Sequence, residues 1–438
     1  MGVGRFVYTP ILPLMHAQAG LSAGAGANLA TANYVGYLAG ALAGILLPAL
    51  VRSSTALRGS LIVLTGTLAT MPFTHSIAVW IVLRLVAGAA SALIFVIAVS
   101  SLLSRLRTHP AHLPGWAFGG VGAGIALSGL LVLVLRPVSD WQAAWWGSAG
   151  LAAILTALSW NLRVELPPAT EPAMEPATAT EPATEPAPAP ALGTATATDS
   201  LAVTPARSPR THRWFTALFV SYTLEGVGYI VAGTFLVAAI EQASPGWIGS
   251  GAWVLVGLAA VPSSALWAWL GRRWSRPDLL LAALVIQAVG IALPALVGGV
   301  AAALISAFLF GATFLGVSTI ALAAGAHLRF PRSVALLTAG YSVGQILGPL
   351  VVTPLLRHGY HQALILAASV VLAAAVAAAV LRIGFPHHTG AARSTAPGRQ
   401  PLRPGRAASD QAAVRLAREA ESAGKREGQW RQSVDRKS

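Results

Sequence analysis

The sequence predicts an all-α membrane protein of twelve transmembrane helices, arranged as two six-helix bundles that repeat one another. Three observations carry this. Hydrophobic residues make up 55% of the 438 positions and charged residues only 10%, with a mean hydropathy of +0.66, whereas soluble chains carry about 25% charged residues. The apolar residues fall into runs of spanning length, roughly 20 residues each, separated by short breaks carrying Pro, Gly or Arg. Short peptides also recur between the two halves at a nearly constant offset.

The runs cover 1–18, 27–50, 58–74, 76–103, 114–135, 141–162, 214–240, 247–271, 278–297, 299–325, 333–356 and 360–382. In hydrocarbon every backbone polar group must be paired, and these runs are too long and too uniformly apolar for barrel strands, so they read as helices. Residues 164–212 form a linker with EPA at 171, 175, 181 and 185 among Ala, Thr and Pro. Its prolines forbid a regular helix and its composition buries nothing, which predicts a disordered, extended spacer. It divides an N-terminal bundle, 1–163, from a C-terminal bundle, 213–382. Residues 383–438 are a basic, largely disordered tail with 11 Lys+Arg and 5 Asp+Glu, in which 410–423 (DQAAVRLAREAESA) has the composition of a short helix. The tail reads either as a solvated extension or as a segment that meets anionic lipid headgroups.

The 29 basic residues against 15 acidic ones, with a pI near 11.3, raise nucleic-acid binding as a question that charge placement decides. If the linker marks one side of the membrane, that side and the tail hold 25 of the 29, the other side holds Arg136 and Arg357, and Arg5 and Arg84 fall within spans. Positive charge collects on the cytoplasmic side. Linker and both termini are therefore expected in the cytoplasm, with the chain in the inner membrane and no nucleic-acid partner. The chain has no cysteine, which excludes disulfides, thiolate zinc sites and Cys nucleophiles.

GVG at 2–4 returns at 226–228, an offset of 224; VGAGIALSG from 121 faces VGQILGPLV from 343, an offset of 222. Arg136 and Arg357 end the two helices concerned, and Trp141-Gln142-Ala143 matches His361-Gln362-Ala363 at 220. These identities put helices 1 and 7, 5 and 11, and 6 and 12 in register, as duplication of a six-helix unit requires. Six plus six helices on a long linker is a transporter architecture, with its binding site at the repeat interface near mid-membrane.

Three stretches, GVGRFVYTPILPLM at 2–15, LATANYVGYLAGAL at 29–42 and LEGVGYIVAGTFL at 224–236, resemble the major facilitator superfamily, and within it the YbfB/YjiJ branch. The resemblance covers roughly 1–382 apart from the linker, and helix 4 shows the superfamily's Arg-x-x-x-Gly pattern at Arg84 and Gly88. The loop VRSSTALRG, 51–59, departs from it by lacking the acidic residue of the helix 2/3 signature, while the helix 8/9 loop keeps GRRWSRPD at 271–278. The resemblance implies that helices 1 and 7 line the central cavity and that helix 2 faces helix 11. Glycines recur every fourth residue at Gly36, Gly40 and Gly44 in helix 2 and at Gly340, Gly344 and Gly348 in helix 11, with Gly120 and Gly124 in helix 5. Such stripes allow close helix approach, here expected as a sliding contact between the bundles; packing within one bundle is the alternative.

Ionisable groups within spans are functional candidates by default. Glu225 lies about 11 residues into helix 7, either as a proton-exchanging group or as an acid that pins the helix. Arg84 reads as an anion or proton-relay group, the role the resemblance favours, or as a pin to backbone carbonyls. Arg5, Tyr8 and Tyr229, on helices 1 and 7, rank above Tyr34, Tyr37, Tyr341, Asn33 and Gln345 as cavity-lining candidates. The G-x-S-x-G at Gly340, Ser342 and Gly344 lies in an apolar helix, not in the strand-turn-helix that a nucleophile elbow requires. His387-His388 and His358/His361 lack the companions of a metal site. No catalytic cluster gathers at one membrane face and no G-x-x-x-x-G-K-[ST] loop is present, which argues against an enzyme and against ATP drive.

The expected function is therefore secondary active transport of a small organic solute by alternating access, coupled to protons, by a monomer in the lipid bilayer without cofactor or metal. The alternative is a multi-pass sensor or lipid-modifying enzyme. Two finer expectations follow from the repeat. Arg5 and Glu225 lie about one helical turn apart in depth, roughly 6 Å, so they are expected to approach each other or to bracket a charged substrate. Helix 7 has 12 residues, Trp214 to Glu225, before its GVG, whereas helix 1 has only Met1, so the repeat predicts a first helix short by about 11 residues. In the truncated reading Arg5 snorkels to the cytoplasmic surface; in the full repeat it lies deep and needs a partner.

Overall fold

The computed structural model describes residues 2–105, 113–137, 140–162, 209–244, 246–328 and 330–385. The linker, the tail beyond Phe385, its 410–423 segment and His387-His388 lie outside the described residues. Every regular element among them is helical. The first span is α1 (Gly2–Phe6) followed by α2 (Tyr8–Gln18); the second is α3 (Ala23–Leu46), trailed by the short α4 (Pro48–Val51). Spans three to six are α5 (Ser54–Thr70), α6 (Ile77–Arg105), α7 (Leu113–Leu135) and α8 (Trp141–Ser159). Spans seven to twelve are α9 (Pro209–Ala243), α10 (Ile248–Leu270), α11 (Arg276–Leu296), α12 (Val300–His327), α13 (Ser333–Val352) and α14 (Tyr360–Leu381). Ten of these helices are long and apolar enough to cross a membrane by length and composition; the first span and α8 fall short.

Local chemistry sets the boundaries. Ser22, Ser53, Asp140 and Ser275 cap α3, α5, α8 and α11 by accepting hydrogen bonds from backbone N–H groups three residues on, which satisfies donors that a helix start leaves orphaned. The caps start α3 and α5 four residues earlier than hydropathy alone predicts, because Gly24 and Gly26 in the first turn of α3 and Ser54 and Thr55 in that of α5 lower the apolar score. The first span breaks at Val7, between α1 and α2. Pro10 and Pro13 lack N–H groups, so the carbonyls of Phe6 and Thr9 lose their helical partners, and the helix loosens there.

Lipid-facing positions keep large apolar side chains exposed, among them Leu46, Ile154, Leu158, Leu258 and Val376. Interior faces carry small residues instead. Helices α3 and α13 do meet across the seam, but the glycines of the predicted stripes press on helices of their own bundle. A Cβ at Gly36 would lie 1.9 Å from the Leu85 carbonyl and one at Gly40 2.3 Å from that of Ala89, on the fourth span, while Gly44 faces Val96. Gly340, Gly344 and Gly348 likewise press on Thr223, Phe219, Val227 and Ile230 of α9. The glycine-built seam between the bundles runs instead between α7 and α10. Gly119, Gly122 and Gly129 meet Val261, Ala260 and Val254, and a Cβ on Gly257 would fall 2.1 Å from the Ala126 nitrogen. Gly124 touches Gly2, and Gly120 touches nothing within 4 Å.

In the C-terminal bundle Phe215, Leu218 and Tyr222 of α9 fill the linker-side interior. The N-terminal bundle holds an apolar cavity of about 450 Å³, bounded by Gly2 and Gly4 and walled by Leu61, Ile94, Phe118 and Leu155 of spans three to six.

Candidate functional site at the seam between the bundles

The close packing of α3 on α6 decides where Arg84 points. A Cβ at Gly88 would lie 2.0 Å from the Asn33 carbonyl, so the Arg-x-x-x-Gly pattern brings the two backbones into contact. Asn33 then donates from Nδ2 to the Arg84 carbonyl at 2.9 Å. This turns the Arg84 side chain inward, where its guanidinium lies 4.6 Å over the Tyr8 ring. Tyr8 is itself fixed by donating to the Gly26 carbonyl at 2.9 Å.

Arg5 sits close by. It is buried, 8% exposed, among side chains of the seam. Its Nη2 donates to Gln345 Oε1 of α13 at 2.9 Å, across the seam. Its guanidinium lies 4.1 Å from the Tyr37 ring centre and 5.4 Å from that of Tyr34. Arg5 Nε and Arg84 Nε and Nη1 are buried without a hydrogen-bond partner. Tyr34 is an electrostatic neighbour of both arginines, which also sense each other. Two like charges are therefore buried in one cluster of tyrosines. Cation–π contact returns about 0.5–2 kcal/mol per pair, less than the several kcal/mol that burying each ion costs.

Glu225 lies elsewhere. It is fully buried, but its Oε1 accepts from Gln287 Nε2 of α11 at 3.2 Å and its Oε2 has no partner. The expected contact with Arg5 is not formed: the carboxyl points into its own bundle, and Tyr229 and Tyr341 are neighbours of both groups. Tyr229 belongs to an aromatic ladder, stacked on Tyr341 at 5.8 Å and Phe314 at 5.4 Å, with Tyr341 stacked on Tyr222 at 4.4 Å. The structure thus gathers Arg5, Tyr8 and Arg84 with Tyr34 and Tyr37 on one side of the seam and Tyr229 with Tyr341 on the other. Glu225 stands behind the tyrosines.

Away from the linker, the bundles are tied together. Thr9 donates to the Gly233 carbonyl at 2.6 Å, Tyr34 and Thr234 share a hydrogen bond of 3.1 Å, and Arg136 forms an ion pair with Glu241. Tyr37 and Tyr341, toward the linker, are half-buried. Gln287, Thr234 and Glu241 were not singled out from the sequence. Gln287 carried a signal, a lone amide in an apolar helix; Glu241 was hidden at a span end, where a charge is ordinary.

The profile of a family described as uncharacterised MFS-type transporter YbfB matches residues 1–197 and again 192–381. The chain belongs to this MFS-type transporter family. The double match coincides with the internal repeat, each copy taking one bundle. No curated protein matches the chain. Among solved structures, a mutant of the nucleoside transporter NupG is similar, with a TM-score of 0.61 and 12% identity over 87% of this chain and 98% of that one. At that identity the likeness speaks for the fold, twelve helices in two repeated bundles. An MFS-type transporter is a multi-pass membrane protein, and its membership carries a small-molecule substrate and a place in the bilayer with it.

Proposed function

We propose that this MFS-type chain is a secondary active transporter that moves a small organic solute by alternating access, coupled to protons through Glu225. In this reading the chain is a monomer of the inner membrane with both termini in the cytoplasm, and it performs no enzymatic step and binds no nucleic acid. The observation that supports it best is the buried polar cluster on the repeat seam. Arg5, Arg84 and five tyrosines meet there in an otherwise apolar bundle, and the inter-bundle hydrogen bonds run from this level away from the linker. Such an arrangement suits a state closed on the far side and approached between Tyr37 and Tyr341. Rocking about the α7/α10 seam would open the other side.

Glu225 supports the coupling role because its Oε2 lacks a partner and it adjoins Tyr229 and Tyr341, which belong to the cluster on the seam. Binding of solute against these rings is then felt at the carboxyl. The experiment is flux of a broad panel of labelled solutes into proteoliposomes, with and without a pH gradient. Uptake accelerated by the gradient is expected, and absence of any movement across the panel overturns the transport reading.

A further inference from the structure

We infer that the solute is an organic anion whose carboxylate is held between Arg5 and Arg84. This rests on the transport reading. Both guanidiniums belong to the N-terminal bundle and are buried among the same tyrosines, at 8% and 2% exposure, and three of their nitrogen atoms are buried with no acceptor. Among the described residues no carboxylate is paired with either arginine. The ion pairs among the described residues are Arg136 with Glu241 and Arg382 with Asp278, and Glu225 is hydrogen-bonded to Gln287 in the other bundle.

Acceptors already present are neutral: Gln345 takes one N–H of Arg5, and rings of Tyr37 and Tyr8 lie against the two cations. A buried cation unpaired by its own protein marks a place where a partner of opposite charge binds. The nitrogens left free, Nε of Arg5 and Nε and Nη1 of Arg84, do not make one parallel fork, so the two oxygens of a carboxylate are taken by single charge-assisted hydrogen bonds, one from each arginine. The flanking tyrosine faces suit a flat or apolar body behind that group. A neutral solute would leave both charges as they are.

The test uses the full chain in detergent with benzoate as probe and benzamide, its neutral counterpart, as control. Benzoate at tens of millimolar is expected to raise the unfolding midpoint by about 2–4 °C, as binding to the folded state requires, and benzamide to leave it unchanged. Arg5→Gln and Arg84→Gln should each abolish the benzoate shift. Without probe each should unfold at or above the temperature of the parent, because an unpaired buried charge is gone; Arg84→Lys should keep a reduced shift. Equal shifts with benzoate and benzamide, a benzoate shift that survives both Gln variants, or no shift with benzoate, lactate, succinate or inorganic phosphate overturns the inference. A shift with phosphate alone assigns the site to phosphorylated solutes and also overturns the carboxylate. An Arg-dependent shift without flux of the anion in proteoliposomes retains the site and removes the transport reading; flux of neutral solutes only, untouched by the Gln variants, does the reverse.

Discussion

Thr9 donates a 2.6 Å hydrogen bond to the carbonyl of Gly233, the residue 224 positions further on. That interval is the repeat offset itself, so each is the other's counterpart, and counterparts touch only where the pseudo-twofold axis passes between them. One turn nearer the linker the next counterparts, Arg5 and Tyr229, are also neighbours. The polar cluster therefore lies on the axis, where a rocking motion of the bundles displaces its members least.

If this bond helps hold the far side shut, Thr9→Val should favour opening there. The hydroxyl contributes about 1 kcal/mol, about a fivefold change in population. The chain lacks cysteine, so Thr353→Cys, next to Gly24 on that side, provides a sole thiol. Its labelling by an impermeant maleimide should rise about fivefold in the Thr9→Val background, and an unchanged rate would deny the bond a gating role.

Arg136 and Glu241 make a stronger tie at the same end, with side chains 24% and 9% exposed. Breaking a partly buried pair leaves the remaining charge without its partner. Arg136→Ala and Glu241→Ala should each speed labelling of the same thiol by about tenfold, for a loss of about 1.4 kcal/mol. The exchanged pair, Arg136→Glu with Glu241→Arg, should return it toward the parent. Failure of the exchange to rescue would show that the residues act separately.

The α7/α10 seam makes a sharper demand. The Cβ of Gly257→Ala would fall 2.1 Å from the Ala126 backbone nitrogen, and backbone yields only if the helices part. We expect Gly257→Ala to destabilise the protein by about 1–3 kcal/mol and to impair flux. Gly120→Ala, with nothing within 4 Å of its Cβ, serves as the neutral control in the same melting and flux measurements. Equal behaviour of the two would dissolve the seam as a functional contact.

The spans and the repeat were legible in the sequence because lipid imposes length and composition on every helix, and duplication leaves identities such as GVG in register. Which neighbour a glycine stripe faces was not legible. Gly36 and Gly40 say that something approaches, but only the fold says that it is Leu85 and Ala89 of the fourth span. On the fifth span the regular pair Gly120 and Gly124 drew attention, while Gly119, Gly122 and Gly129, on another face of the same helix, form the seam with α10. Arg5, Tyr8, Arg84 and Tyr229 were found because charge and phenol are rare in these spans. The aim of Glu225 was not, since depth along a helix fixes its level but not its azimuth.

That azimuth sharpens what Glu225→Gln should do. The carboxyl accepts from Gln287 Nε2 at 3.2 Å, and the amide of the variant presents an oxygen of the same size to the same donor, so the fold is retained. The neutral amide imitates the protonated acid and never releases a proton. A carrier coupled through Glu225 should then lose net uptake driven by a pH gradient yet keep exchange of solute for solute, which needs no change in its protonation. Gln287→Leu should separate the roles further. It removes the one hydrogen bond that holds the carboxyl while leaving a titratable group, so net uptake should persist with its dependence on pH displaced. If Glu225 merely pins α9 to α11, both variants should instead lower the unfolding midpoint together and leave the ratio of net uptake to exchange unchanged. Measuring that ratio in proteoliposomes, alongside melting of the same preparations, distinguishes a proton site from a pin.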